Sequence, residues 1–289
     1  MPWVATVLLV VSAFTHAIWN LLAKRSAAPL ASLWWTLAGA TALAGVYLGA
    51  TGRWAWPAGP ALWLLPVGGV AEAVYLYALT RAYSCGDLSL AYPISRGSAP
   101  VLVALWAALL WGERLPWGGY AGIALLVVGI VVTAADRFSE VLRPFAAWRY
   151  PAARWALLSG LGISVYSMVD KASLAYLSTD AYNFWAFAAM VAFLVPLLAV
   201  TSSPAVLGRV LRLEWRAIAA GTVLVPATSL LVLNAMALAP ASYVTGLRGL
   251  SVPAGALLAR LVLSERLGPV RVAAAGMLAV GTACLAWSG

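Results

Sequence analysis

Glu72 is the one acidic residue set well inside an apolar run of this chain, and Arg96 and Arg248 sit in similar runs 152 residues apart. An ionised carboxylate without a partner is costly in apolar surroundings, so Glu72 needs a proton or a cation such as Arg96, Arg248 or Lys24. That chemistry suits proton coupling or recognition of a substrate ammonium; a purely structural buried pair is the alternative. Tyr75, three residues on, shares the helix face of Glu72. Arginine keeps its charge and suits bidentate binding of a carboxylate or phosphate. Each of the two arginines is followed by a glycine (Gly97, Gly249) and then by a proline (Pro100, Pro253) that frees a backbone carbonyl and invites a kink. The pair could hold the anionic group of a substrate, or each could brace its own half of the molecule. Ser12, His16, Asn20 and Lys24 recur at steps of four and form one polar stripe. His16, the chain's only histidine, could titrate near neutral pH or merely hydrogen-bond a neighbouring helix. Trp19, Tyr92, Tyr166 and Asn234 add aromatic and hydrogen-bonding surface. The candidate substrate-binding set is therefore His16, Trp19, Asn20, Glu72, Tyr75, Tyr92, Arg96, Tyr166, Asn234 and Arg248, with Glu72 and His16 as the candidates for proton coupling.

The elements that must position these residues are membrane helices. Hydrophobic residues make up 64% of the 289 residues and charged ones 9%, with a mean hydropathy of +0.93. A soluble domain carries roughly 25% charged residues, so this surface could not be covered in water. Apolar runs of about 20 residues exclude a β-barrel. The runs and their breakers predict ten helices, near 3–23, 30–50, 60–82, 88–111, 116–135, 154–177, 181–201, 215–238, 241–263 and 268–287. The first carries no basic leader and reads as a retained membrane helix. Tryptophans such as Trp54, Trp56, Trp63, Trp117 and Trp287 lie near segment ends, where the indole ring favours the bilayer interface.

Both arginines belong to a cassette that occurs twice. Arg96-Gly97 is followed by Gly112-Glu113-Arg114-Leu115 and a helix containing Gly129; Arg248-Gly249 is followed by Ser264-Glu265-Arg266-Leu267 and a helix containing Gly281. A second register of 147 pairs Ser12 with Ser159, Asn20 with Ser167 and Lys24 with Lys171. Five helices per half is an odd number, so the halves enter the membrane in opposite senses, with the working site between them. The expected divisions are a first repeat over 1–135, a polar connecting loop over 136–153 and a second repeat over 154–289. Glu113, Arg114, Glu265 and Arg266 mark tight turns and read as structural, as do Lys24 and Lys171 at helix ends.

Ten helices in two such repeats resemble the drug/metabolite transporter (DMT) superfamily, and the EamA-type branch in particular. His16-Ala17-Ile18-Trp19-Asn20-Leu21-Leu22-Ala23-Lys24 and Tyr92-Pro93-Ile94-Ser95-Arg96-Gly97 also look like that branch. The resemblance implies an all-α integral membrane fold with ten transmembrane helices as two inverted five-helix repeats. It also implies transport of small metabolites by alternating access between the repeats. Amino acids or related zwitterions fit the mixed charges best; anionic organophosphates or nucleotide sugars are the alternative, with a non-transporting scaffold behind them. Basic residues concentrate in the loops opposite the termini, among them Arg137, Arg143, Arg149 and Arg209, which places both termini outside the cytoplasm. The resemblance implies cytoplasmic termini instead. The expected setting is the inner membrane of a bacterial cell, as a monomer or weak homodimer. Anionic lipid accounts for the net charge of +9 without a nucleic-acid partner. There is no His-Glu-x-x-His, no Walker A motif and no metal-ligand spacing at Cys85 or Cys284, so neither an enzyme nor a cofactor is expected.

Overall fold

The computed structural model describes residues 3–111, 116–133, 150–239, 241–249, 251–252, 260–262 and 268–287. Every regular element among them is an α-helix, as the bilayer requires of a chain this apolar. In chain order they are α1 (Trp3–Arg25), α2 (Pro29–Thr51), α3 (Ala61–Cys85), α4 (Leu88–Trp111), α5 (Trp117–Thr133), α6 (Pro151–Ser173), α7 (Thr179–Thr201), α8 (Pro204–Leu238), α9 (Ala241–Arg248) and α10 (Pro269–Trp287). Seven of these, α1 to α4 and α6 to α8, are long and apolar enough to cross a membrane. Glu113, Arg114, Glu265 and Arg266 lie outside the described residues, as does nearly all of the expected connecting segment 136–153.

Helix starts follow local chemistry more closely than hydropathy. α6 begins at Pro151 rather than 154, and α8 at Pro204 rather than 215, because proline is suited to the first helical turn, where its missing N–H is not needed. The Ser203 side chain caps α8 by accepting from the Val206 amide, and Ser178 caps α7 by accepting from that of Ala181. The basic stretch with Arg209, Arg212 and Arg216 is thus helix, not loop. α6 stops at Ser173, short of the expected 177.

The packing partners interchange between the halves. α3 lies against α6 and α1 against α8; α2 lies against α8 and α3 against α7; α4 lies against α5 and α9 against α10. Each pair becomes the other when the first five helices are exchanged for the last five. The largest buried cluster joins α1 to α4 with α6, α7 and α8, and includes Trp19, Leu37, Tyr75, Tyr92, Tyr166 and Phe187. Close approach of α6 to α3 depends on Gly162, where a Cβ would stand 2.7 Å from the Ala71 carbonyl oxygen and 2.9 Å from the Tyr75 backbone nitrogen. Small residues at such crossings replace the hydrophobic drive that lipid removes.

Two lysines fasten helix ends. Lys24 Nζ, at the end of α1, donates to the carbonyls of Tyr83 and Gly86 (2.5 and 2.7 Å) where α3 stops. Lys171 Nζ, near the end of α6, donates to those of Met236 and Ala239 (2.5 and 3.1 Å) where α8 stops. A cation there satisfies orphan carbonyls and opposes the negative end of the helix dipole. Both lysines are thereby engaged at helix ends.

Candidate functional site

Side chains from both halves converge on a cavity of ≈ 70 Å³. α1 gives His16 and Trp19, α3 gives Glu72 and Tyr75, and α6 gives Tyr166 and Asp170; α8 adds Thr228 and Ser229, and α9 adds Arg248. Leu33 and Leu37 of α2 and Phe187 and Met190 of α7 close it with apolar surface. Small-molecule pockets span roughly 300–1,000 Å³, so cargo enters only if these walls separate.

The acids are the most informative members. Glu72 is buried, and among the described residues its Oε2 has no hydrogen-bond partner. Asp170 is buried beside the same cavity, and Tyr182 of α7 donates to its Oδ1 at 2.6 Å. Among the described residues the one ion pair within 4.0 Å joins Arg53 to Asp180 (3.1 Å), away from this cavity. The cavity therefore holds two carboxylates and the Arg248 guanidinium without direct pairing between them.

Arg96 does not share this position. Its guanidinium is buried against the His16 imidazole at Nε2, lies 3.4 Å from Tyr75 Oη and sits over the Tyr75 ring at 5.9 Å. Trp19 Nε1 donates to His16 Nδ1 at 3.1 Å. A neutral imidazole offers a single acceptor nitrogen, so two donors compete for it. Tyr92 stacks on the other side of His16, with ring centroids 6.3 Å apart. The Arg96 cassette position thus forms a layer behind the cavity, while its counterpart Arg248 faces it; the two arginines do not form one anion clamp. Pro100 denies the Arg96 carbonyl its usual helical donor, and Pro93 does the same for that of Ser89, which loosens α4 on both sides of this contact.

Other expected members take other places. Asn20 is buried but bridges α1 to α3: its Nδ2 donates to the His16 carbonyl (2.8 Å) and its Oδ1 accepts from Tyr83 Oη (2.8 Å). Asn234 is exposed, and its amide donates to Leu230 of its own helix (2.8 Å), so it is not a cavity residue. An outward amide finds its partner in the preceding turn. The expectation that Glu72 pairs with Lys24 is also corrected, since Lys24 is engaged at the α3 terminus. Tyr75 and Tyr166 face each other across the α3–α6 contact, centroids 5.6 Å apart.

Asp170, Tyr182 and Thr228 are missing from the sequence-derived set. Asp170 next to Lys171 looks like an interfacial charged pair, yet it falls four residues after Tyr166, on the same face of α6. That spacing was the available signal.

Residues 151–287 match the model of the EamA-like transporter family. This segment, just under half of the chain, is similar to the EamA-like transporter family. The EamA-like half contributes Tyr166, Asp170, Thr228, Ser229 and Arg248 to the cavity. A solved structure titled "Crystal structure of protein" is similar over 98% of this chain and 96% of its own, with a TM-score of 0.65 and 19% identity. At that identity the likeness is one of fold. No curated protein matches the chain.

Proposed function

We propose that this EamA-like protein is a secondary active exporter of small polar metabolites, with amino acids or related zwitterions as its cargo. The observation that carries the proposal is the mixed charge of one cavity: Glu72 and Arg248 both line it, and neither is neutralised by the other at ion-pair distance. An α-ammonium suits the carboxylate and an α-carboxylate suits the guanidinium. Tyr75, Tyr166 and Trp19 supply aromatic faces for the remainder of the molecule. Organophosphate exchange is the weaker reading, because two carboxylates beside a single cavity-facing arginine repel a phosphate.

Alternating access between two inverted repeats, 1–135 and 154–289, is the proposed mechanism. The interchangeable packing partners and the matching lysine contacts at the ends of α3 and α8 support it. Glu72 is the proposed coupling residue, releasing a proton to one face and taking one from the other. His16, met by two donors, serves in this scheme to hold Trp19 and Arg96 in place. Glu113, Arg114, Glu265 and Arg266 are proposed to brace the turns at the membrane faces.

Purified protein in proteoliposomes, loaded with labelled amino acids and given an inward proton gradient, tests both parts. Glu72→Gln should abolish pH-driven flux and also weaken substrate-induced thermal stabilisation, because it removes both the titrating group and the partner of the α-ammonium. Unchanged pH dependence in that variant refutes the coupling role. A thermal shift with sugar phosphates and none with amino acids refutes the cargo class.

A further inference from the structure

Resting on the amino-acid reading above, we infer that Asp170 makes the cavity selective for cargo with a second cationic group, that is, for basic amino acids over neutral ones. Glu72 already provides one carboxylate for an α-ammonium. Asp170 adds another from the opposite half of the chain, lining the same cavity. Among the described residues two nearby cations are engaged elsewhere: its neighbour Lys171 is held by the Met236 and Ala239 carbonyls, and Arg96 is held between His16 and Tyr75. Arg248 is the cation left facing the two acids among the described cavity-lining residues.

The charge balance then identifies the cargo. Once Glu72 has released its proton in the coupling cycle, two carboxylates against one guanidinium leave the cavity short of one positive charge. A neutral zwitterion brings one cation and one anion and does not make up the deficit. A basic amino acid brings two cations and one anion, which pairs every charge: α-ammonium with one acid, side-chain cation with the other, and carboxylate with Arg248. A buried charge without a partner is far costlier than a paired one, so the difference acts directly on affinity. Tyr182 is the positioning residue of this arrangement. Its hydroxyl, 2.6 Å from Asp170 Oδ1, fixes the carboxylate while leaving Oδ2 for a ligand. The facing rings of Tyr75 and Tyr166 offer π-surface to the alkyl stem or cation of a long side chain.

Counterflow of labelled lysine and labelled leucine through reconstituted protein tests the inference. Wild type should carry lysine with the higher kcat/KM. Asp170→Asn, which keeps the size of the side chain and can still accept from Tyr182, should lower kcat/KM for lysine roughly 30-fold and that for leucine less than about threefold. Tyr182→Phe keeps the carboxylate itself and should lower the lysine value about fivefold and the leucine value less than about twofold; it decides the matter if Asp170→Asn does not fold. A wild-type preference for leucine overturns the inference, as does equal loss of both substrates in the variants, and in either case the amino-acid reading stands. Transport of neither substrate, with sugar phosphates carried instead, overturns both.

Discussion

Gly162→Ala should destabilise the protein, although the same exchange in an open helical position stabilises it. A Cβ at residue 162 would stand 2.7 Å from the Ala71 carbonyl oxygen and 2.9 Å from both Tyr75 Cβ and the Tyr75 backbone nitrogen. Favourable contacts of this kind lie at about 3.5–4.0 Å. Two of the three opposing atoms are backbone and cannot rotate aside, so α3 must move bodily off α6. Such overpacking costs about 1–3 kcal/mol, against a gain of about 1 kcal/mol from replacing a helical glycine. The net loss is up to about 2 kcal/mol, equivalent to a fall of up to roughly 8 °C in Tm for a chain of this size. Gly208 in α8 is the control, since a Cβ there meets nothing within 4 Å. Gly208→Ala should raise Tm by about 2–4 °C through helix propensity alone. Melting curves of the detergent-solubilised variants give the comparison. The displacement also moves Glu72 and Tyr75, which flank the contact, so flux should fall for Gly162→Ala and hold for Gly208→Ala. A Gly162→Ala protein that melts at or above wild type refutes the packing argument.

Three further outcomes follow from contacts described above. Lys24→Met and Lys171→Met should each lower Tm by several degrees, because two carbonyls at a helix end lose a charged donor worth about 1.5–3 kcal/mol per bond before solvent takes part of the load; the exposed neighbour Arg25→Met should leave Tm unchanged in the same melts. Asp180→Asn should shift Tm by no more than about 4 °C at any ionic strength, since the Arg53 side chain of that pair is 61% exposed and surface pairs contribute about 0–1 kcal/mol. Arg96→Lys should cut transport even though charge is kept, because a lysine cannot lie against the His16 ring and reach Tyr75 Oη together; equal flux in proteoliposomes would show that only the charge matters.

Hydropathy sufficed for the class and for most helix positions, because spanning helices must be both long and apolar. Starts were harder: the proline at 151 and the serine-proline pair at 203–204 outrank hydropathy, and the eleven N-terminal residues of α8, 204–214, are basic and amphipathic. In the site, Glu72, Tyr75, Tyr166 and Arg248 were legible because a polar group in an apolar run stands out. Asp170 was hidden by its neighbour: beside Lys171 it resembles an ordinary end-of-helix pair, and only the fold reveals that the lysine turns to α8 while the acid turns inward. The pairing of Arg96 with His16 joins residues 80 positions apart, and no local spacing encodes it. Asn234 misled for the converse reason, since an amide that bonds its own preceding turn has the same letter as one that binds cargo.

The lysine-bound helix ends bear on how such a chain diverges after duplication. Lys24 and Lys171 grip main-chain carbonyls, contributed by Tyr83 and Gly86 in one case and by Met236 and Ala239 in the other. Every residue has such a carbonyl, so the receiving positions are free to change identity. A contact of this type constrains one letter per copy rather than two. Under the two-repeat arrangement proposed here, the joint persists while the segments it joins lose all resemblance, and a comparison of letters alone registers the lysines and nothing at the other end.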